Sequence, residues 1–375
     1  MPTWDIRFDL RLDVNSPQIV RAAARAEALA SVIRGLPIPP HVRQKLDRLN
    51  ILRAVRGTTG IEGSDLSEEE VGAVLAAGVQ HSVLSRPRAR EEQEVRNAAS
   101  VMSFVGEAIR GDPTLSLSEE LIATIHRLTT DGIDYENNIP GVYRSHGVRA
   151  GDYVPPRERF DIQRLMKELI DWFHSGLAQS WPPAVRAITT HFYLISIHPF
   201  GDGNGRTARA IESLLLYRGS INALGFYSLS NFYYRHRSEY VGHLDGARFE
   251  SGNDLTPFVR FALEGLVTEL ADVHREVLNE MAIIAFRDFA RERLSLTGKM
   301  GTPAGERLYR LLLGLEEPAR LVDIRRKRHT LSGLYIGLSP KTLSRDLKLL
   351  RDENLIVEHE RRISANIELM RDFMP

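Results

Sequence analysis

The run His198-Pro199-Phe200-Gly201-Asp202-Gly203-Asn204-Gly205-Arg206-Thr207-Ala208-Arg209 gathers an imidazole, a carboxylate, three glycines and two guanidinium groups. Each type has a chemical use. An imidazole with an ordinary pKa of about 6.5 accepts a proton near neutrality. A carboxylate is a hard oxygen ligand that suits Mg²⁺ bridging phosphates. Glycines at 201, 203 and 205 permit positive φ angles and close backbone approach. Apolar, helix-compatible runs precede the segment (Val185, Ile188, Phe192, Ile195) and follow it (Ile211, Leu214, Leu215), so it reads as a tight loop feeding a helix. Backbone N–H groups at a helix start form a ready anion site. Arg206 and Arg209, three apart, project from one side of the first turn, where they can grip further phosphates. A glycine-rich loop alone is usually a turn and a lone histidine is usually structural, but together these groups suit attack by a hydroxyl on a nucleotide phosphate. The glycine spacing fits neither a P-loop nor a dinucleotide fingerprint.

The segment resembles, without a gap, the signature H-P-F-x-D/E-G-N-G-R-x-x-R of the Fic (filamentation induced by cAMP) family, and the resemblance extends over roughly residues 10–275. It implies a protein adenylyltransferase that moves AMP from ATP to a Ser, Thr or Tyr hydroxyl of a protein. By motif position, His198 would be the base and Asp202 would hold Mg²⁺. Gly203, Asn204 and Gly205 would line the anion hole for the α- and β-phosphates, Arg206 would contact the β-phosphate and Arg209 the γ-phosphate. Phe200 would anchor the loop. A second family pattern, S/T-x-x-x-E-G/N, is matched by Thr58-Thr59-Gly60-Ile61-Glu62-Gly63. It implies an N-terminal inhibitory helix whose Glu62 pairs with Arg209; in some relatives the same glutamate positions a water that removes AMP. Pro140-Gly141-Val142-Tyr143-Arg144 resembles the family's P-G-x-Y-R segment, which makes Gly147-Val148-Arg149-Ala150 a flap able to receive a target by strand addition. Tyr240-Val241 falls where relatives often show Tyr-Tyr near the adenine, so Tyr240 is a candidate stacking partner and Val241 a departure that leaves the base open. Asn231 and Phe232-Tyr233-Tyr234 would wall the pocket or pack the core, and His191 is read as structural. Alternatives are a DNA-binding regulator using the Fic core as a nucleotide sensor, a donor such as UTP or CDP-choline, and a de-AMPylating role. The resemblance also implies homodimerisation. The target is an unidentified protein or the chain itself.

The elements that must position these groups are mostly helical. Apolar residues alternate from Trp4 through Ile6, Phe8, Leu10 and Leu12 to Val14, which predicts a strand or hairpin with one buried face. Ser16-Pro17 predicts an N-cap with proline in the first turn of a helix to Gly35. A second helix is expected from about Val42 to Glu62, and Ser67-Glu68-Glu69-Glu70 offers a cap and acidic first turn for a third. From about 88 to 275 most segments read as helices, with loops at 111–113, 138–156 and 181–183. Tyr143 to Val154 lacks a 3.6 period and predicts a short hairpin; residues 255–295 predict a long helix.

Residues 301–375 change character, carrying 14 Lys and Arg against 11 Asp and Glu, an excess of +3. A helix near Leu308–Leu315, the basic run Arg325-Arg326-Lys327-Arg328, a helix opened by Ser339-Pro340 and alternating residues from Leu355 to Ile367 follow the winged-helix order. Lys341, Thr342 and Arg345 would then face a DNA major groove, with Arg361 and Arg362 in the wing reaching phosphate. The expected organisation is an N-terminal strand and helical region with the inhibitory helix over 1–110, a Fic catalytic core over 111–275, a helical linker over 276–300 and a winged helix-turn-helix over 301–375: a mainly α protein with a short β-hairpin flap. With 375 residues, 43% hydrophobic and 26% charged, the chain is neither disordered nor of low complexity. The 49 basic and 49 acidic residues cancel, so the whole chain has no bias toward nucleic acid or membrane. The absence of cysteine excludes disulfides, thiolate nucleophiles and cysteine–zinc sites. No signal peptide and no 18-residue apolar run is visible, which predicts a soluble cytoplasmic protein with no membrane partner.

Overall fold

A computed structural model describes residues 5–78, 82–222, 229–250 and 254–371. It divides into two compact units, residues 1–274 and 275–375. The first unit holds α1 (Pro17–Gly35), α2 (Pro40–Ile61), α3 (Glu68–Ala77), α4 (Ala89–Gly111), α5 (Glu119–Thr130), α6 (Arg159–His174), α7 (Gly176–Ser180), α8 (Pro183–Ile197), α9 (Asn204–Arg218), α10 (Leu229–Arg235), α11 (Arg237–Asp245) and the first part of α12 (Thr256–Leu296). None of these helices is long and apolar enough to cross a membrane.

Local chemistry sets the helix ends. The Ser16 hydroxyl accepts from Ile19 N–H, with Pro17 in the first turn of α1. Ser67 and Glu70 form a reciprocal capping box at the start of α3. At the centre lie α8 and α9: in α9 every residue from Asn204 to Leu216 is buried, and α8 is buried on nearly all faces. The polar residues of these two helices therefore need partners inside the protein. Beside them, Val55, Leu66, Val71, Val74, Val95 and Ala98 tie α2, α3 and α4 into a second apolar cluster.

Two expectations are corrected. The expected N-terminal strand has no ladder: its only pairing among the described residues is one parallel bridge, Arg11 to Asp254, and Trp4 lies outside them. The period-2 pattern records an extended segment with one face inward, with Ile6 buried and Phe8 4.6 Å from the Tyr193 ring. The hairpin expected over 143–154 is reduced to one antiparallel bridge, Ala150 to Tyr153, turning on Gly151 at φ 62°. Arg144 replaces the ladder there, donating to the carbonyls of His146, Pro156 and His198.

The second unit contains the end of α12, α13 (Pro303–Gly314), α14 (Leu321–Arg325), α15 (Pro340–Asp352) and α16 (Glu368–Arg371). Its strands β1 (Ala319–Arg320), β2 (Ile356–His359) and β3 (Arg362–Ala365) form an antiparallel sheet in the order β1-β3-β2. Leu308, Leu311, Leu347, Leu350 and Ile363 are among the residues of its core.

Candidate functional site

His198 ends α8 in the left-handed region, φ 52° and ψ 58°, a conformation rare for a residue with a Cβ. Its N–H still bonds to Leu194 O, so the chain breaks sharply out of the helix. Nδ1 lies 3.2 Å from Ile195 O. A carbonyl can only accept, so Nδ1 carries the proton and the Nε2 lone pair is left to act as a base. Burial, with the nearby Arg144 and Arg248 adding repulsion, lowers the His198 pKa to about 4. The imidazole is therefore neutral at pH 7, as a base must be.

The loop after His198 is locked from within. Asn204 accepts from Phe200 N–H and donates to Phe200 O, both at 2.9 Å. Phe200 is fully buried and stacks on His126 with ring centres 3.7 Å apart, so its expected place as an anchor is where the structure puts it. His126 Nδ1 accepts from Gly141 N–H at 2.8 Å, which leaves Nε2–H to donate to Asp202 O at 2.9 Å. One neutral imidazole thus joins the motif loop to the base of the flap. A Cβ at Gly201 would sit 2.5 Å from Asn137 O, and Gly203 adopts φ 73°. Both positions need glycine.

Arg206 and Arg209 are buried, at 6% and 1% exposure. Arg206 donates to the Tyr135 hydroxyl at 2.7 Å, lies 3.3 Å from Glu94 and reaches Asp202 at 3.1 Å. Arg209 donates to Thr58 Oγ1 at 2.9 Å, to Thr58 O at 3.0 Å and to Glu62 Oε1 at 2.7 Å. Glu62 caps the end of α2, and Arg237 fixes that end by donating to Ile61 O at 3.0 Å. A Cβ built on Gly205 would fall 2.0 Å from Glu62 Oε1. The carboxylate therefore lies directly over the start of α9, where the free N–H groups and the positive end of the helix dipole favour an anion. Burial alone would raise the Glu62 pKa, but Arg209 and Arg206 outweigh it and hold the group below the usual carboxylate range. Two buried donors, Arg209 NH1 and Arg206 Nε, have no partner among the described residues. Unsatisfied guanidinium donors beside an anion cradle are what a polyphosphate would complete.

Asp202 keeps its carboxylate 40% exposed. Its Oδ1 accepts from Gly203 N–H and Arg206, whereas Oδ2 has only Arg90, at 3.9 Å, among the described residues. Among the described residues no three His, Cys, Asp or Glu side chains cluster as a metal cage. One open carboxylate fits Mg²⁺, an ion that commonly uses only one or two protein carboxylates.

Of the remaining candidates, Tyr240 is buried at 3%, stacked on Tyr233 at 4.5 Å, with its hydroxyl 2.8 Å from His191 Nε2. Its ring belongs to an aromatic floor with Tyr233, His191 and Phe258 and presents no open face. Phe232 and Tyr233 pack into the same region, and Asn231 pairs with Glu269. His191 is fully buried, as expected of a structural residue. In the flap, Gly147 and Arg149 are exposed while Val148 and Ala150 are half-buried, the alternation of an edge. Lys341, Thr342 and Arg345 belong to the second unit. Sequence reasoning gave no role to His126, Arg144, Tyr135 or Arg237. None lies in the motif; only Arg144, inside the recognised P-G-x-Y-R segment, carried a signal that could have found it.

The family described as Fic/DOC matches residues 116–216. Protein adenylyltransferase fic-1 of Caenorhabditis elegans is 29% identical over 204 residues, 54% of this chain and 37% of that protein. Protein adenylyltransferase Fic of Aedes aegypti is 26% identical over 283 residues, 67% of this chain and 54% of that protein. The matches thus span between about a third and just over half of the length of these curated relatives. Among solved structures, a Fic family protein from Desulfovibrio desulfuricans superposes with a TM-score of 0.56 at 23% identity over 98% of both chains. Fic-1 of C. elegans gives a TM-score of 0.55 at 24% identity over 69% of this chain and 72% of the other. These likenesses establish the fold.

Proposed function

We propose that this chain, which carries a Fic domain, transfers AMP from ATP to a hydroxyl of a protein and restrains itself through Glu62. The observation that carries the reading is the Glu62 carboxylate held over Gly205 by Arg209, an anion placed where a phosphate would bind. The names of the adenylyltransferase relatives support it.

In the transfer, the target Ser, Thr or Tyr hydroxyl gives its proton to His198 Nε2 while its oxygen attacks the α-phosphorus. The bond from that phosphorus to the bridging oxygen breaks, and pyrophosphate leaves. The α9 N-terminal N–H groups of Gly203, Asn204 and Gly205 receive phosphate oxygens, Arg206 takes the β-phosphate and Arg209 the γ-phosphate. The loop is rigid because Asn204, Phe200 and His126 fix it, so the cradle needs little rearrangement as charge develops. Asp202 would hold Mg²⁺, which would supply neutralisation of phosphate charge. The flap edge at 147–150 would receive an extended target segment. While Glu62 holds Arg209, the γ-phosphate lacks its partner and the α-phosphorus is not presented in line.

The test is incubation of wild type, Glu62→Gly and Glu62→Gly with His198→Ala with α-labelled ATP, Mg²⁺ and cell lysate. Protein-bound label only in Glu62→Gly is expected. Absence of label from every folded variant would overturn the reading in favour of another donor, AMP removal or nucleotide sensing.

A further inference from the structure

In the second unit, β3 pairs with β1 and β2 so that Arg320 faces Arg362 and His359 faces Arg362. Residues in register share a sheet face, and their Cβ atoms are about 5 Å apart. The row Arg320–Arg362–His359 thus crosses all three strands, and both arginines are exposed. Like charges directly opposite each other destabilise a sheet, and no carboxylate among the described residues pairs with either arginine. The inner face is built differently: Ile363 and Ala319 are buried in the same register.

Two further features of this unit present basic groups to solvent. The turn joining β2 to β3 is Glu360-Arg361, with φ 47° and 64°. Such a two-residue turn is normally Asn-Gly, because both positions need positive φ; a Glu-Arg tip is a strained way to place a guanidinium. On α15, Lys341, Arg345 and Lys348 are exposed and lie on one stripe at helical spacing. None of the three has an ion pair among the described residues. The opposite face is pinned: Asp346 takes Arg307 at 2.7 Å and the Tyr335 hydroxyl at 3.0 Å, while Leu347 and Leu350 enter the core. Several other arginines of this unit do find carboxylates, as in Arg287–Glu316 and Arg351–Glu358.

We propose that this unit binds duplex DNA, with α15 in the major groove through Lys341, Arg345 and Lys348 and the Arg320–Arg362–His359 row taking phosphates of the backbone. A duplex presents closely spaced phosphates that relieve the like-charge row, and its major groove admits an α-helix. Single-stranded nucleic acid is disfavoured because it needs exposed stacking rings. The described aromatic residues of this unit, Phe286, Phe289, Tyr309 and Tyr335, pack on its core instead. The inference is independent of adenylyl transfer by the first unit.

The test uses the full-length chain and fluorescence anisotropy with a labelled 30-base-pair duplex across a salt series. The slope of log affinity against log salt should be negative. It should become shallower by about 2 in the double variant Arg320→Gln with Arg362→Gln, since each lost phosphate contact removes roughly 0.9. The same double variant should keep or raise its melting temperature, because it removes repulsion; a row serving only the fold would lose stability. Arg310→Gln, whose partner is Glu306 on α13, should bind as wild type. Equal binding by the folded double variant, no binding to duplex at low salt, or tighter binding to single-stranded RNA or to anionic lipid vesicles would each overturn the proposal.

Discussion

At Arg209 the same guanidinium serves two masters. It is 1% exposed, grips Glu62 and Thr58, and still has one buried N–H donor without a partner among the described residues. Removing the carboxylate partner of a buried arginine is costly when nothing replaces it, and in the proposed function ATP phosphates replace it. Glu62→Gly should therefore raise transfer by tenfold or more, read as α-label on protein, while leaving the fold intact. Unchanged activity would remove the brake. His198→Ala in that background should abolish label without lowering ATP affinity, because in the proposed transfer the imidazole meets the acceptor hydroxyl and not the phosphates; a parallel loss of ATP binding would assign His198 to binding instead. Most of this site was legible in the sequence, since the motif places its chemical groups on one loop and one helical turn. What was not legible is the support from distant elements. His126 touches Asp202 across 76 residues and Arg237 touches Ile61 across 176, and no local pattern encodes such pairings. Tyr240, singled out by its position for stacking, packs against Tyr233 and His191, neighbours that no local pattern encodes either.

Helix α2 delivers Glu62, and its seating depends on two glycines. A Cβ on Gly57 would fall 2.7 Å from the backbone of Ser230, and one on Gly60 would fall 2.4 Å from the Tyr234 ring. The backbone at Ser230 cannot yield as a flexible side-chain tip could, so Gly57→Ala must shift α2 against α10. Overpacking of this kind typically costs about 1–3 kcal/mol. The expected outcome is a folded but less stable protein whose transfer rises toward that of Glu62→Gly, and the two changes together should add little. Retained inhibition in Gly57→Ala would show that the brake tolerates movement of its helix. Helices themselves were readable, because caps such as Ser16, Ser67 and Ser339 mark their starts. Extended segments were less so. Alternation at 6–14 reports which face is buried and says nothing of whether another strand lies alongside, and the chain there found tertiary partners instead of a ladder.

Across the first unit, buried titratable groups set opposing pH limits. Burial lowers His191 to about 3 and both His126 and His198 to about 4, so all three are neutral when folded. All three would titrate near 6.5 when unfolded. The unfolded chain therefore binds more protons between pH 6.5 and about 3, and stability is lost as pH falls through that window. Protonating His126 also destroys the acceptor for Gly141 N–H and so frees the flap base. Glu212 works in the other direction. Burial, only partly opposed by the Tyr233 hydrogen bond and by Arg209, raises it to about 8. A carboxyl whose folded pKa is raised gives its full stability below its ordinary value near 4.5 and loses it as pH rises toward 8. Stability should thus peak at about pH 7, falling on the acid side through the three histidines and on the alkaline side through Glu212. Glu212→Gln keeps an oxygen for the Tyr233 hydroxyl and cannot ionise. Its melting temperature relative to wild type should rise steadily from pH 5 to 8, by an amount equivalent to a few kcal/mol, then level off. A difference independent of pH would mean that Glu212 is already ionised in the folded protein, with Arg209 as its counter-ion, and the charge balance on which the Glu62 brake rests would have to be redrawn.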